Sequence, residues 1–460
     1  VDVYFDHMVA INLFHEPTFR AKVSSIAIES MLQAQALLVA MLAFAACFYT
    51  TTADETDPSR FLALAFTKID EALQECGDEA PPLCLLQALI IATHCQLTLG
   101  VRGKAWRSLG MCIRLAYELN LHLVDADRPD RYPAVNVDVQ QWVEDEERRR
   151  AWWATWEMDV FASTIRRTRP AMDWSQMETL LPVEDHYWFQ NQPKPSCFME
   201  LDAVYRWKVL QESGNESPKA WFLVINSLMK DAQVISSPRM GGVRSQRRPR
   251  DPTEGDALKK LELLANSVHC FSLALPKHLQ YRNQYLDFDG RAAGELSSPR
   301  QIHCGIYNIY VMTQLARIMI HRYGVFGGRK LNGGGAAPGS QGAAAAAANR
   351  SSRSSGTRSP HDGGKLALLQ YFEATDNILT ILSRSSVDHI RHINPFLSST
   401  IWLASAVQLL RMQFAEDEIS RTLIKSKFEA LYLTYRRCVS FWDIQTAVQQ
   451  NLEALEAQLE

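Results

Sequence analysis

Lys104-Ala-Trp-Arg-Ser-Leu-Gly-Met-Cys-Ile-Arg-Leu-Ala-Tyr-Glu-Leu-Asn-Leu-His122 sets Trp106, Leu109, Ile113 and Ala116–Tyr117 at steps of three and four residues. That spacing is one face of an α-helix. Asn120 is placed to end this helix in a left-handed turn. A Pro-rich loop leads to a second block, Glu146-Glu-Arg-Arg-Arg-Ala-Trp-Trp-Ala-Thr-Trp-Glu-Met-Asp159. Here Trp152, Trp156, Asp159 and Ser163 share a face, Trp153 starts a neighbouring stripe, and Glu146 and Arg150 stand i, i+4 in the favourable order.

The same period recurs outward from this pair. Phe61, Ala65, Ile69 and Ala72–Leu73 follow Asp57-Pro58-Ser59, where Asp57 or Ser59 can cap a helix start. Phe428, Leu431–Tyr432, Tyr435, Val439 and Trp442 draw another stripe near the C-terminus. No sustained period-2 segment flanked by hairpin turns occurs. The expected class is all-α: a large multi-helix body with helices packed in antiparallel pairs and disordered linkers. Residues 237–255, rich in Pro, Gly and Arg, and residues 327–364, low-complexity Gly, Ala and Ser with an alanine run from Ala343, carry too little apolar surface to offset chain entropy. The chain therefore divides into a helical core (1–236), a linker (237–255), a helical segment (256–326), a low-complexity insert (327–364) and a C-terminal helical segment (365–460).

Composition narrows the function. A 47% hydrophobic, 22% charged chain of 460 residues reads as globular, and its net charge of −3 offers no overall basic field for nucleic acid. Nine scattered cysteines without a Cys-x-x-Cys pair fit a reducing compartment better than a disulfide framework. The opening Val1-Asp-Val-Tyr-Phe-Asp lacks the layout of a secretory signal, and the missing initiator Met is what an excerpt of a longer protein would show. Charge is absent between Glu29 and Asp54 and between Glu79 and Arg102. Internal Gln, His and Thr residues and many alanines make both segments buried helices on this reading, with no membrane partner.

Taken as packing, Trp106 is an anchor and Gly110 permits close approach of a neighbouring helix, while Arg107 and Arg114 flank them ready to pair with acids. The triple arginine ahead of the tryptophans reads as guanidiniums stacked on aromatics and paired with buried acids. A nucleic-acid patch is disfavoured by the acidic run Glu144–Glu147 just before it. Asp159 is expected to accept hydrogen bonds from such an arginine.

In this order the two blocks resemble the middle homology (regulatory) region of fungal transcription factors that carry a six-cysteine binuclear zinc cluster. The entry looks like Phe14-His-Glu-Pro-Thr-Phe19. The first block matches at Ala105, Trp106, Gly110, Arg114, Ala116, Leu119, Leu121 and His122, and the second at Glu146, Arg149, Arg150, Trp153, Asp159, Ser163, Arg169 and Pro170. Val160 stands where the pattern has Arg, and Thr168 where it has Gly; the likeness is good over residues 1–185. It implies a nuclear regulator of transcription by RNA polymerase II and no enzyme. DNA would be recognised through a zinc cluster outside this chain, so no cofactor is expected within it. The implied partners are transcriptional co-regulators or a small-molecule inducer, with a homodimer possible.

Other motifs carry less. His389-Ile-Arg-His392 pairs two imidazoles at i, i+3 without a third ligand, which suits a surface or capping role. Asp287-Phe-Asp-Gly290 begins like a calcium loop but lacks the downstream glutamate. Arg239, Arg244, Arg247, Arg248 and Arg250 lie close enough in the first linker to form a nuclear localisation signal or a phosphate contact, or simply a solvated linker. Two alternatives stay open: a stand-alone ligand- or partner-binding protein of the same family, and a helical enzyme or carrier with a cavity lined by Trp152, Trp153, Trp156, Trp188 and Trp207.

Overall fold

A computed structural model describes residues 1–49, 57–127, 138–237, 254–290, 298–326 and 360–445, together with 452 and 454. Among these, fifteen α-helices follow one another: α1 (Asp2–His7), α2 (Glu16–Glu29), α3 (Met31–Ala45), α4 (Pro58–Cys76), α5 (Leu83–Leu99), α6 (Gly103–Glu118), α7 (Val139–Arg166), α8 (Asp185–Phe189), α9 (Arg206–Ser213), α10 (Pro218–Ser236), α11 (Glu254–Ala274), α12 (Pro299–Phe326), α13 (Pro360–Ser383), α14 (Ser398–Met412) and α15 (Glu418–Trp442). The only β pairing among the described residues is an isolated bridge between Leu286 and Ser385. The all-α reading holds.

Local chemistry sets the helix ends. The Asp57 carboxylate accepts the Ser59 N–H at 2.9 Å ahead of Pro58, and Asp138 caps α7 by accepting from the N–H groups of Gln140 and Gln141. Asn120 closes α6 with φ 54°, and Arg167 closes α7 with φ 57°. The Arg239–Arg250 cluster lies outside the described residues, as do most of the 237–255 linker and positions 327–359 of the insert. Residues 360–364, assigned from sequence to that insert, are the first turn of α13, and residues 254–255 begin α11.

Neighbours in sequence pack together (α3 on α4, α5 on α6, α12 on α13, α14 on α15), and α10 lies along α12. One buried apolar cluster runs from Tyr4 to Trp442. Within it α5 is buried on almost every side, which explains its charge-free sequence. The Met31–Phe48 window is long and apolar enough to cross a membrane by length and composition; half of it is buried, and α3 packs against α4 and α5.

Two packing expectations are corrected. Gly110 is exposed, and a Cβ there would meet nothing within 4 Å, so it provides no close approach. Among the described residues the tightest glycine is Gly305 on α12, where a Cβ would sit 2.6 Å from Pro218 Cβ at the start of α10. His389 and His392 do not lie on the surface. Their segment folds as a short 3-10 turn, pinned by the Leu286–Ser385 bridge and by the Cys304 thiol, which donates to the His392 carbonyl at 2.9 Å. That turn faces the imidazoles inward. His389 packs on Phe288 and Tyr307, and His392 stacks on His7 with ring centroids 5.2 Å apart.

Gly305→Ala is expected to lose ~1–3 kcal/mol of stability by overpacking, whereas Gly110→Ala, on an open helix face, should gain up to ~1 kcal/mol. Urea unfolding of both variants checks the pair. A pH dependence follows from the buried histidines. Burial lowers His94 from its ordinary 6.5 to about 3, with Lys219 acting in the same direction, and burial with the nearby Arg300 and His7 also takes His392 to about 3. A depressed folded value means the unfolded chain binds more protons between pH 6.5 and 3. Stability is then intact above 6.5 and declines as pH falls, by up to ~1.4 kcal/mol per pH unit for each histidine. Urea midpoints from pH 7 to 5 should show this decline, and His392→Gln should flatten it.

Candidate functional site

Helix α7 places the second sequence block at the centre of the molecule. Arg149 is buried and grips Asp125 with two bonds, Nε to Oδ2 at 2.9 Å and Nη2 to Oδ1 at 2.6 Å, while its Nη1 reaches Glu146 at 3.2 Å. Arg150 bonds Glu146 through Nε at 2.9 Å, Asp185 at 2.6 Å and the Val183 carbonyl at 2.7 Å, and its guanidinium lies 4.0 Å over the Trp188 ring. Burial pulls both guanidiniums down, but the acids outweigh it: Arg149 is held above its ordinary value chiefly by Asp125, and Arg150 by Asp185 and Glu146. Burial pushes the Glu146 carboxyl up even beside Arg150 and Arg149.

The network joins separate stretches of chain. Asp125 also accepts the Leu180 N–H, Glu146 accepts the Val183 N–H, and the Asn12 amide donates to Asp185. His122 and Asp125 exchange backbone bonds with Glu178, and the Thr179 hydroxyl donates to the Leu121 carbonyl at 2.6 Å. The Phe14–Phe19 entry joins through His15, whose N–H donates to Glu147 while its ring meets the Trp188 carbonyl. Lys22 pairs with the same Glu147. Of the acidic run, only Glu144 is exposed. Arg149 and Arg150 are thus paired with buried acids, and Arg150 lies on an aromatic ring.

The other family positions divide. Trp153 is buried and donates to the Leu180 carbonyl at 2.7 Å, and the His122 ring packs between Tyr117 and Trp152. Trp106 is half-buried under the Arg166 guanidinium. Arg114 and Arg169 are exposed, and Pro170 is half-buried. Asp159 departs from expectation. Its Oδ2 accepts the backbone N–H groups of Ala171 and Met172 at 2.7 and 2.9 Å and, among the described residues, no arginine bonds it, because the chain folds back after Pro170 and brings those amides first. Burial raises its carboxyl above the ordinary range, opposed by those bonds and by Lys230.

Beside the network opens a cavity of about 680 Å³, lined from α7 by Arg150, Trp153 and Ala154, from α10 by Lys219 and Phe222, from α12 by Ile302, Gly305 and Asn308, and by Val9–Asn12, Asp185 and Asn394. Its size suits a small-molecule site. Its lower wall is tied by Glu157 of α7, which accepts the Asn394 amide at 2.7 Å and pairs with Lys219, whose ammonium also donates to the Ala10 carbonyl. Sequence reasoning missed Glu157, Lys219, Asn308 and Asn394. The available signal was a lone charge inside an apolar helical run, as in Trp156-Glu157-Met158 and Pro218-Lys219-Ala-Trp. Of the five tryptophans proposed to line a cavity, only Trp153 lines this one; Trp152, Trp156 and Trp188 are core. Among the described residues no group of three or more His, Cys, Asp or Glu side chains is placed to hold a metal ion.

Comparison with known proteins accounts for this layout. The family described as the fungal specific transcription factor domain matches residues 1–239, more than half the chain, and the protein belongs to that family. The C6 finger domain transcription factor hasF of Aspergillus fumigatus is 30% identical over 102 residues, covering 22% of this chain and 12% of that protein. The Zn(2)-C6 fungal-type transcription factor FTF1c of Fusarium oxysporum is 24% identical over 208 residues, 43% of this chain and 21% of its own length. An uncharacterized transcriptional regulatory protein of Schizosaccharomyces pombe is 26% identical over 192 residues, 40% of this chain and 18% of that protein. The matched stretches thus span about a fifth or less of these relatives. No solved structure matches the chain.

Arg149→Met would leave Asp125 buried without its cation and Glu146 with Arg150 alone, and is expected to lose ~3–5 kcal/mol in urea unfolding. Arg149→Lys should recover only part, because an ammonium cannot make the two-pronged bond to Asp125. The exposed Arg114→Ala should change stability by less than ~0.5 kcal/mol.

Proposed function

We propose that this chain is the regulatory body of a nuclear fungal transcription factor acting on RNA polymerase II promoters. DNA is recognised through a binuclear zinc cluster outside this chain, and the cavity beside α7 receives a small-molecule inducer. The observation that carries the reading is the double role of α7. Its Arg150 and Trp153 belong both to the family signature and to the cavity wall. A molecule filling that cavity touches the same guanidinium that fixes Asp185 and Val183, so occupancy changes the positions of chain segments the network holds. As a regulator it answers to ligand or co-regulator and turns over no substrate. Two named relatives, hasF and FTF1c, are described as C6 or Zn(2)-C6 factors, which supports placing DNA recognition in such a cluster.

A fusion of the 460-residue chain to a heterologous DNA-binding domain, with a matching reporter in a fungal host, tests this. Reporter output is expected to differ several-fold from that of the DNA-binding domain alone. Ile302→Trp, which projects into the cavity from an exposed position, should shift that output without lowering the melting temperature. Output equal to the DNA-binding domain alone, or unmoved by Ile302→Trp, would overturn the respective part of the proposal.

A further inference from the structure

A separate cavity, of about 310 Å³, opens where the end of α11 and the chain after it meet α12 and α13. Its wall is mainly polar, with Gln280, Arg282, Tyr310, Gln314, Arg317 and Asn377 among the lining side chains, and none of its lining residues is acidic. Arg317 stands on α12 within the otherwise apolar run Leu315-Ala-Arg-Ile-Met-Ile320. It is half-buried and makes no hydrogen bond or ion pair among the described residues. Asp376, beside Asn377 on α13, does not answer it, being already held by Arg411, Lys427 and Gln408. Arg282 comes from the chain after α11. Its Nε and Nη2 both donate to the Gln280 side-chain oxygen, at 3.3 and 2.7 Å, which fixes the guanidinium and leaves Nη1 unused.

Gln314 supplies an independent observation. It is 2% exposed, and its Oε1 accepts the Asn377 amide at 3.2 Å. Its Nε2 has no partner among the described residues, yet it is not one of the polar atoms sealed in the core, and the surface it keeps opens on this cavity. A buried side chain thus holds an unused amide donor toward a space that two guanidiniums also line.

We propose that this cavity is a binding site, distinct from the one beside α7, for a small anion with two negative charges, a phosphate or a dicarboxylate, gripped by Arg317 and Arg282 and hydrogen-bonded by the Gln314 amide. Guanidiniums present forked donors that match the paired oxygens of such acids. Lining groups that carry positive charge without a carboxylate favour an anion over a cation or a neutral molecule. The surrounding field agrees in sign: Arg384 adds a positive charge near the Tyr281 hydroxyl, and Glu373 opposes Arg317 at Tyr310. The volume suits a molecule of modest size.

The position gives the anion a structural consequence. Arg282, Arg317 and Asn377 all come from chain beyond the family-matched residues 1–239. A bound anion fastens the chain after α11 to α12 and α13. Helix α12 also supplies Ile302, Gly305 and Asn308 to the cavity beside α7, so the anion steadies a helix that the other cavity shares.

Calorimetric titration of the 460-residue chain with inorganic phosphate, succinate and acetate, in a buffer free of other multivalent anions, tests the assignment. Saturable binding is expected for phosphate or succinate, the tighter of the two naming the class of acid, and about tenfold or more weaker binding for singly charged acetate. Added salt should weaken it. Arg317→Met and Arg282→Gln should each weaken binding about tenfold or more, and Gln314→Met about fivefold. Without anion, Arg317→Met should keep or raise the melting temperature, because it removes an unanswered charge, so lost binding is not lost folding. Arg114→Ala, which removes an exposed arginine of α6, should leave binding unchanged. No saturable binding, acetate bound as tightly as the other two, binding that survives Arg317→Met, or an equal loss from Arg114→Ala would each overturn the proposal. None of these outcomes bears on the reporter experiment, which reads the α7 cavity alone.

Discussion

The buried charge network on α7 is the constraint on which the rest of the architecture depends. Placing Arg149, Arg150 and Glu146 at the centre of a helix core is unfavourable unless each charge meets a fixed partner. The partners come from elsewhere: Asp125 from the turn after α6, Asp185 from the start of α8, and backbone groups of residues 180–183. Satisfying two guanidiniums therefore dictates the course of chain segments that form no long regular element of their own. A core of leucines would bury α7 equally well, but would not specify which loop lies where.

The cavity beside α7 follows from the same arrangement. Arg150 faces the network with one edge and the open space with another, and Glu157, two turns further along α7, ties in Lys219 and Asn394. Helices from outside the family-matched region, α12 above all, complete the wall. The family signature thus builds one half of the cavity and the later helices build the other.

Much of this was legible beforehand. Helical period and capping chemistry marked α4, α6 and α7, and Asn120 ends its helix in the left-handed turn expected of it. The pairing of Glu146 with Arg149 and Arg150 was legible because the acidic and basic runs stand within one helical stretch, where spacing converts directly to direction. Gly110, Asp159 and the His389–His392 pair were misread for a common reason. In each the sequence shows what a residue is able to do, while its neighbours arrive from distant segments: no described helix comes to Gly110, the amides after Pro170 reach Asp159 before any described arginine, and α12 draws the histidines inward.

By itself the sequence determined the helical class, the ends of the principal helices, the family resemblance and the inward role of Arg149, Arg150 and Trp153, all of which depend on contacts within a few turns of chain. Only the tertiary structure decided that Asp125 and Asp185 answer those arginines and that Glu157 joins Lys219 to Asn394. Those pairings span from 24 to 237 residues. Helix periodicity carries no information over such separations, and three-dimensional packing alone selects which of many polar side chains meet.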